Sequence, residues 1–223
     1  MRFSRGTSGA LVLRVIFCAP RDPHKRLIRP IGTTDGFTLV ELAAVVAIIG
    51  ILSTIAVMSY RRLVNSAKTA EATNMIQAIR VAQESYHSEV GSYDNVSITL
   101  TGNTAEGRMN GASTLFPNPR PDGSKWPWVG QNPNDPVTRR WAALPVHAAG
   151  PVRFGYATVS GPAGVIPAQP RLFYDGVQVG WGGVRPKDWF ITEAMSDTDG
   201  NGIYCTVFAP SWDSQVFIDH QGE

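Results

Sequence analysis

Apolar positions along this chain fall into three patterns, and each predicts a different element. From Leu42 to Tyr60 no charged residue interrupts the run, and Arg61-Arg62 closes it. At about 1.5 Å rise per residue the stretch approaches the roughly 30 Å of a bilayer core, which predicts a membrane-spanning helix over 37–60. The apolar residues then thin to every third or fourth position, at Val64, Ala67, Ala72, Met75, Ile76, Ile79, Ala82, Tyr86 and Val90. Lys68, Glu71, Asn74, Gln77, Arg80 and Glu84 take the opposite face, so the same helix is predicted to continue over 61–91 as an amphipathic stem. Gly91 supplies its stop, and the whole helix is on the order of 80 Å long.

From Asp94 to Leu144 the period is lost among Asn, Gly, Pro and Trp, which predicts a long surface connection, loop 94–144. Short runs of branched and aromatic residues between Gly and Pro follow at 152–159, 171–179, 189–194, 203–208 and 215–218. They predict an antiparallel meander, a sheet over 150–220. The fold class is therefore α+β: a long N-terminal helix packed on a small antiparallel sheet, with a globular head at 92–223. The 223 residues suffice for one domain and a long helix rather than two large domains.

Glu41 breaks the apolar pattern. A carboxylate inside a spanning segment costs at least about 2.5 kcal/mol, so it calls for a partner and a role. With its neighbours it forms Gly36-Phe37-Thr38-Leu39-Val40-Glu41-Leu42, which resembles the processing site of type IV prepilins and of the related type II secretion pseudopilins. The resemblance implies that residues 1–36 are a leader removed by prepilin peptidase between Gly36 and Phe37, and that the new N-terminus is methylated at Phe37. It implies further that Glu41 pairs with the N-terminal amine of a neighbouring subunit and sets the axial register of a filament. The physics agrees, because a buried charge is tolerated when it is paired and hydrogen-bonded.

The same resemblance implies the pilin fold and a structural subunit of a type IV pilus filament. Its partners would be copies of itself or related pilins, the peptidase, an assembly ATPase, an inner-membrane platform protein and an outer-membrane pore. The chain would sit in the inner membrane with its head outside the cytoplasm, and in a cell-surface pilus after assembly. One alternative is a type II secretion pseudopilin, whose short periplasmic filament acts as a piston. The alternative from another class is a single-pass membrane-anchored binding protein that never polymerises and needs no peptidase. In the head, Phe154-Gly155-Tyr156 with the later Asp-Gly turn is similar to some large bacterial pilins. A proline that many type IVa pilins carry near the position of Met58 is absent, and with it the reason to expect local melting of the helix there.

Charge supports this polarity. Residues 1–36 hold Arg2, Arg5, Arg14, Arg21, Lys25, Arg26 and Arg29 against Asp22 and Asp35, an excess that places the N-terminus in the cytoplasm and Arg61 onward outside. Nothing before Lys25 is needed for that, so translation is expected to start downstream of Met1. Seven of the 20 basic and two of the 18 acidic side chains lie in this leader, leaving 13 against 16. The net +2 of the whole chain thus becomes acidic, which argues against a generally basic surface for nucleic acid. Cys18 also lies in the leader, so Cys205 remains without a second cysteine for an intramolecular disulfide. Many type IVa pilins clamp their C-terminal region with a disulfide; here packing or an ion is expected to hold it.

Two further motifs suggest sites. Asp197-Thr198-Asp199-Gly200-Asn201-Gly202 fits the first half of a calcium loop, with Asp197, Asp199 and Asn201 as the candidate ligands. Phe208 stands at the twelfth position where such a loop supplies a bidentate glutamate, so Glu193 or Asp213 would have to contribute. A plain Asp-Gly hairpin turn accounts for the same composition. Arg120, Lys125, Trp126, Trp128, Arg139, Arg140 and Trp141 interleave cations with flat rings, as surfaces for single strands or sugars do, or else are tryptophans packed on the sheet. Enzyme chemistry is not indicated: His87, His147 and His220 show no metal-ligand spacing, and no nucleophile elbow or phosphate loop is present.

Overall fold

A computed structural model describes residues 36–130, 132–167 and 171–222. The leader reading, apart from Gly36, lies outside these residues. The chain divides into a unit that ends at Ala47 and a unit that begins at Ile48, with one helix, α1 (Leu39–Val90), running through the boundary. It is long and apolar enough to cross a membrane, and none of its most apolar window is buried. Its end is fixed as expected. Gly91 takes a φ of 83° and donates its N–H to the His87 carbonyl at 2.8 Å, the left-handed cap that glycine adopts without strain.

Within the second unit, α1 buries Thr69, Ala72, Met75, Ile76, Ile79, Ala82 and Gln83, one stripe at three-or-four spacing. The stripe packs on an antiparallel sheet of β1 (Gly155–Gly161), β4 (Trp189–Ser196), β5 (Cys205–Pro210) and β6 (Phe217–Asp219), in that order. Register decides which side chains meet the helix. Tyr156 pairs with Ala194 and Ala194 with Val207, and all three belong to the core that includes Ile76 and Ile79. One residue along, Ala157 pairs with Glu193 and Glu193 with Phe208, on the opposite face. That face is covered too, by Leu100, Leu115 and Leu172, so all eight residues of β4 are buried.

Side chains of 94–144 join the cores on both faces of the sheet, which corrects the reading of that stretch as a surface connection. Val96, Leu100, Leu115, Phe116, Trp141 and Leu144 are buried, and an eight-residue helix, α2 (Pro136–Ala143), forms within the stretch. Asp135 caps α2, its carboxylate accepting the Thr138 N–H at 3.1 Å, and Pro136 occupies the first helical position. The chain shows no period here because irregular backbone buries its side chains one at a time. Its polar groups are satisfied against the sheet edge: Ser97 N–H reaches the Thr158 carbonyl at 2.9 Å, and Phe116 exchanges two hydrogen bonds with Tyr156. The outer edge of β1 is thereby closed.

The strand expected over 171–179 is also corrected. It breaks into a hairpin of β2 (Phe173–Tyr174) and β3 (Val177–Gln178) outside the main sheet. Asp175 and Gly176 have φ of 51° and 71°, the paired left-handed conformation that an Asp-Gly turn supports. Asp219 on β6 anchors the hairpin by accepting the Asp175 N–H at 3.1 Å, while its other oxygen accepts from Asn103 Nδ2 at 3.1 Å. Asn103 is fully buried and also binds both backbone groups of Phe173. Beyond β6, Asn65 of α1 donates to the Gly222 carbonyl at 2.7 Å. These polar contacts, together with packing, hold the C-terminal segment.

Candidate functional site

The N-terminal end of α1 is built by its first four residues. Thr38 precedes the helix, and its hydroxyl accepts the Glu41 N–H at 3.2 Å. Glu41 answers with one oxygen, Oε2, which accepts the Thr38 N–H at 2.9 Å and the Thr38 hydroxyl at 2.8 Å. This is a reciprocal capping box, satisfying two amides that a helix end otherwise leaves open. Among the described residues Oε1 takes no hydrogen bond. The site therefore offers a carboxylate fixed in place, with one oxygen open to a donor or cation from outside the chain.

Apart from Thr38, the side chains flanking that carboxylate are apolar and exposed. Phe37 and Leu39 are each 83% accessible, and Val40 and Leu42 are accessible as well. Gly36 is exposed, and nothing lies within 4 Å of where a side chain on it would begin, so packing in this chain does not require glycine there. Gly50 is likewise uncrowded, and α1 passes through it as helix. The structure thus places Gly36, Phe37 and Glu41 on one short exposed segment. Thr38 is the participant that the sequence reading passed over, although Thr-x-x-Glu before an apolar run was there to signal it.

The Asp197–Gly202 stretch is a compact turn between β4 and β5. Asp197 is nearly buried; its Oδ1 accepts from the amides of Gly200 at 2.7 Å and Asn201 at 3.2 Å, and its Oδ2 from Gly202 at 2.9 Å. Asp199 Oδ1 accepts the Asn201 N–H at 3.2 Å, and Asn201 Oδ1 the Ile203 N–H at 2.7 Å. The three candidate ligands are gathered in one loop, with these oxygens turned onto its own backbone. Neither additional carboxylate joins them through a bond that would close a cage. Glu193 binds the amides of Thr101 and Gly102 at 2.8 and 2.9 Å, and Asp213 binds Gln215 N–H at 2.9 Å. Among the described residues no group of three or more His, Cys, Asp or Glu could hold a metal.

Glu193 is fully buried, and desolvation pushes its carboxyl up to about 7 against the lowering effect of its two amide donors. It fastens the 96–118 cover to the sheet through Thr101 and Gly102.

In the basic and aromatic set at 120–141 one ring is buried, two are half-buried and the cations are exposed. Trp141 is buried, stacks on Phe116 with centroids 5.5 Å apart and meets Trp128 edge-on at 5.4 Å; Trp128 also contacts Tyr156. Trp126 exchanges two backbone hydrogen bonds with Val152. Arg140 donates to the Asn95 carbonyl at 2.5 Å and Arg139 to Asn134 at 3.3 Å. Trp141 and Trp128 belong to the core, Trp126 is half-exposed outside it, and Arg139 and Arg140 serve loop contacts. The three histidines after Gly36 are dispersed: His87 lies 3.6 Å from Asp188, His220 2.9 Å from Asp219, and His147 is exposed.

Comparison with known proteins falls on the same N-terminal segment. Residues 34–57 match the prokaryotic N-terminal methylation motif. The type IV major pilin protein PilA of Myxococcus xanthus is 43% identical over 60 residues, which is 27% of this chain and 27% of that protein. The chain thus matches about a quarter of the length of that curated relative. No solved structure matches.

Proposed function

We propose, from the prepilin-type methylation motif that this chain carries, that it is a structural subunit of a type IV pilus filament. The observation that carries the reading is the state of Glu41: a carboxylate on an apolar, unburied helix, held by Thr38 through one oxygen and open at the other. Such a group enters an apolar filament core only with a cationic partner, and the amine freed at Phe37 by cleavage after Gly36 supplies one. Prepilin peptidase releases and methylates that amine, α1 associates with the same helix of neighbouring copies, and the head decorates the filament surface. Before assembly the precursor sits in the inner membrane with its head outside the cytoplasm. An assembly ATPase and a platform protein act on it there.

The likeness to a type IV major pilin favours a pilus over a secretion pseudopilus. The head has the character of a structural module: its polar network binds backbone to backbone cover, as Glu193, Asn103 and Asp219 do, rather than lining a reaction site. The test is mass analysis of the N-terminus from membranes of cells with and without the peptidase. The proposal expects a chain beginning at methylated Phe37 only where the enzyme is present. An identical uncut chain in both would instead support the anchored protein that does not polymerise.

A further inference from the structure

A second set of basic and aromatic residues, from 181–189 and from the distant Tyr93 and Trp212, is brought together at the surface of the head. The guanidinium carbon of Arg185 lies 3.6 Å from the centroid of the Trp212 ring, within cation–π range. One Arg185 Nη donates to the Trp181 carbonyl, and the Arg185 carbonyl accepts the Gly164 N–H at 2.8 Å, so both ends of the residue are fixed. Trp181 and Trp189 brace Trp212 edge-on, with centroids 6.1 and 6.4 Å away. Tyr93, Lys187, Asp188 and Ser211 complete a cleft of about 310 Å³. That is enough to take one small ring with its substituents.

The charges in this cleft are unbalanced. Arg185 Nε is buried without a hydrogen-bond partner, and among the described residues neither Arg185 nor Lys187 pairs with a carboxylate. Asp188 offsets one of these two charges and leaves an excess of one; its Oδ1 accepts the Ala163 N–H at 2.8 Å and its Oδ2 faces His87 at 3.6 Å. Tyr93 is also committed: its hydroxyl donates to Glu84 at 3.0 Å, and burial, aided by that bond, pushes it up to about 12. The donors left for a ligand are the second Arg185 Nη, which takes no hydrogen bond among the described residues, and the exposed Lys187 ammonium.

We infer that the cleft binds an acidic sugar, a uronate unit of a polysaccharide, with its carboxylate on Arg185 and Lys187 and its ring against Trp212 and Tyr93. A carboxylate meets the second Arg185 Nη and the Lys187 ammonium, and Ser211 supplies a polar edge for hydroxyls. A nucleic acid strand fits less well, since it needs a groove of cations to follow its phosphates. Here two cations stand in a chain whose residues after Gly36 carry 13 bases against 16 acids. The site is independent of the filament reading.

The test titrates the full-length chain in detergent micelles with a short oligogalacturonate, following tryptophan fluorescence. The methyl-esterified oligomer and an oligothymidylate serve as probes of the sugar without its charge and of phosphate. The expected result is saturable binding of the acid oligomer, about tenfold weaker in Lys187→Gln and in Trp212→Ala. Lys187 is exposed, so its substitution leaves the fold intact, and the thermal midpoint of each variant verifies this. Equal binding of the methyl ester, tighter binding of oligothymidylate, or no saturation with the acid oligomer would each overturn the inference.

Discussion

The two halves of α1 are made from similar apolar residues but answer to different surroundings. In its first half Ile48, Ile49, Ile51, Leu52 and Ile55 all stay exposed, each more than half accessible. In its second half Ile76 and Ile79 are fully buried against the sheet. The first half is apolar all round and needs lipid or other helices, while the second carries one stripe and needs only its own head. The difference teaches that burial inside the chain stops near Thr69, and that the exposed apolar segment before it is surface left for partners.

The sharpest way to break this comparison is to cut the same side chain in each half. Ile76→Ala should destabilise the head by about 2–5 kcal/mol, because it leaves a cavity between helix and sheet. Ile49→Ala should leave the head's thermal midpoint unchanged. Thermal denaturation of both variants in detergent checks this, and equal loss in the two would mean that the first half also supports the head.

A smaller effect is expected at Arg80. The helical pattern placed it on the solvated face, yet its guanidinium donates to the carbonyls of Pro210, Asp213 and Ser214 in the β5–β6 turn. Arg80→Ala should cost about 1.5–3 kcal/mol, typical of hydrogen bonds from a charged donor, and Arg80→Lys should recover only part of it. Full recovery with lysine, read from denaturant midpoints, would reduce the contact to charge alone.

Glu193 adds a pH dependence to the head alone. Its carboxyl has an ordinary value of 4.5 and titrates near 7 when folded, so the native state binds the extra proton. The stability it contributes is therefore fully present below about 4.5 and lost as pH rises through about 7. Melting curves between these values should show a falling midpoint, and Glu193→Gln should flatten that component. A midpoint that rises over the same window in the parent and flattens in the variant would reverse the assignment.

The smallest effect concerns calcium. With Asp197 and Asp199 closed onto their own loop amides, millimolar calcium should leave the thermal midpoint where it was. A rise that disappears in Asp199→Ala would establish an ion in the turn.

What could be read from the sequence follows the same division. The spanning run, the stem, the Gly91 stop and the Gly-Phe-x-x-x-Glu junction are linear signals, each contained in a few turns of one helix. The second cover of the sheet is not such a signal: Leu100, Leu115 and Leu172 are spaced without period, because irregular backbone places them individually. Composition alone could not separate a packed irregular layer from a surface loop. Tryptophan is ambiguous in composition for the same reason. Trp141 sits in the core beside exposed arginines, whereas Arg185 and Trp212, 27 positions apart, meet only in three dimensions. Thr38 was readable from its spacing to Glu41, but the capping box became visible only with its hydrogen bonds.

The most direct test of the central claim is recovery of the chain in sheared cell-surface fibres, from the parent and from Glu41→Ala, with N-terminal mass analysis of each fraction. The account predicts fibres built of chains beginning at methylated Phe37, and loss of those fibres in Glu41→Ala while its head still melts at the parental temperature. Undiminished fibres in the variant, or an uncleaved parent chain that stays in the membrane, would contradict it.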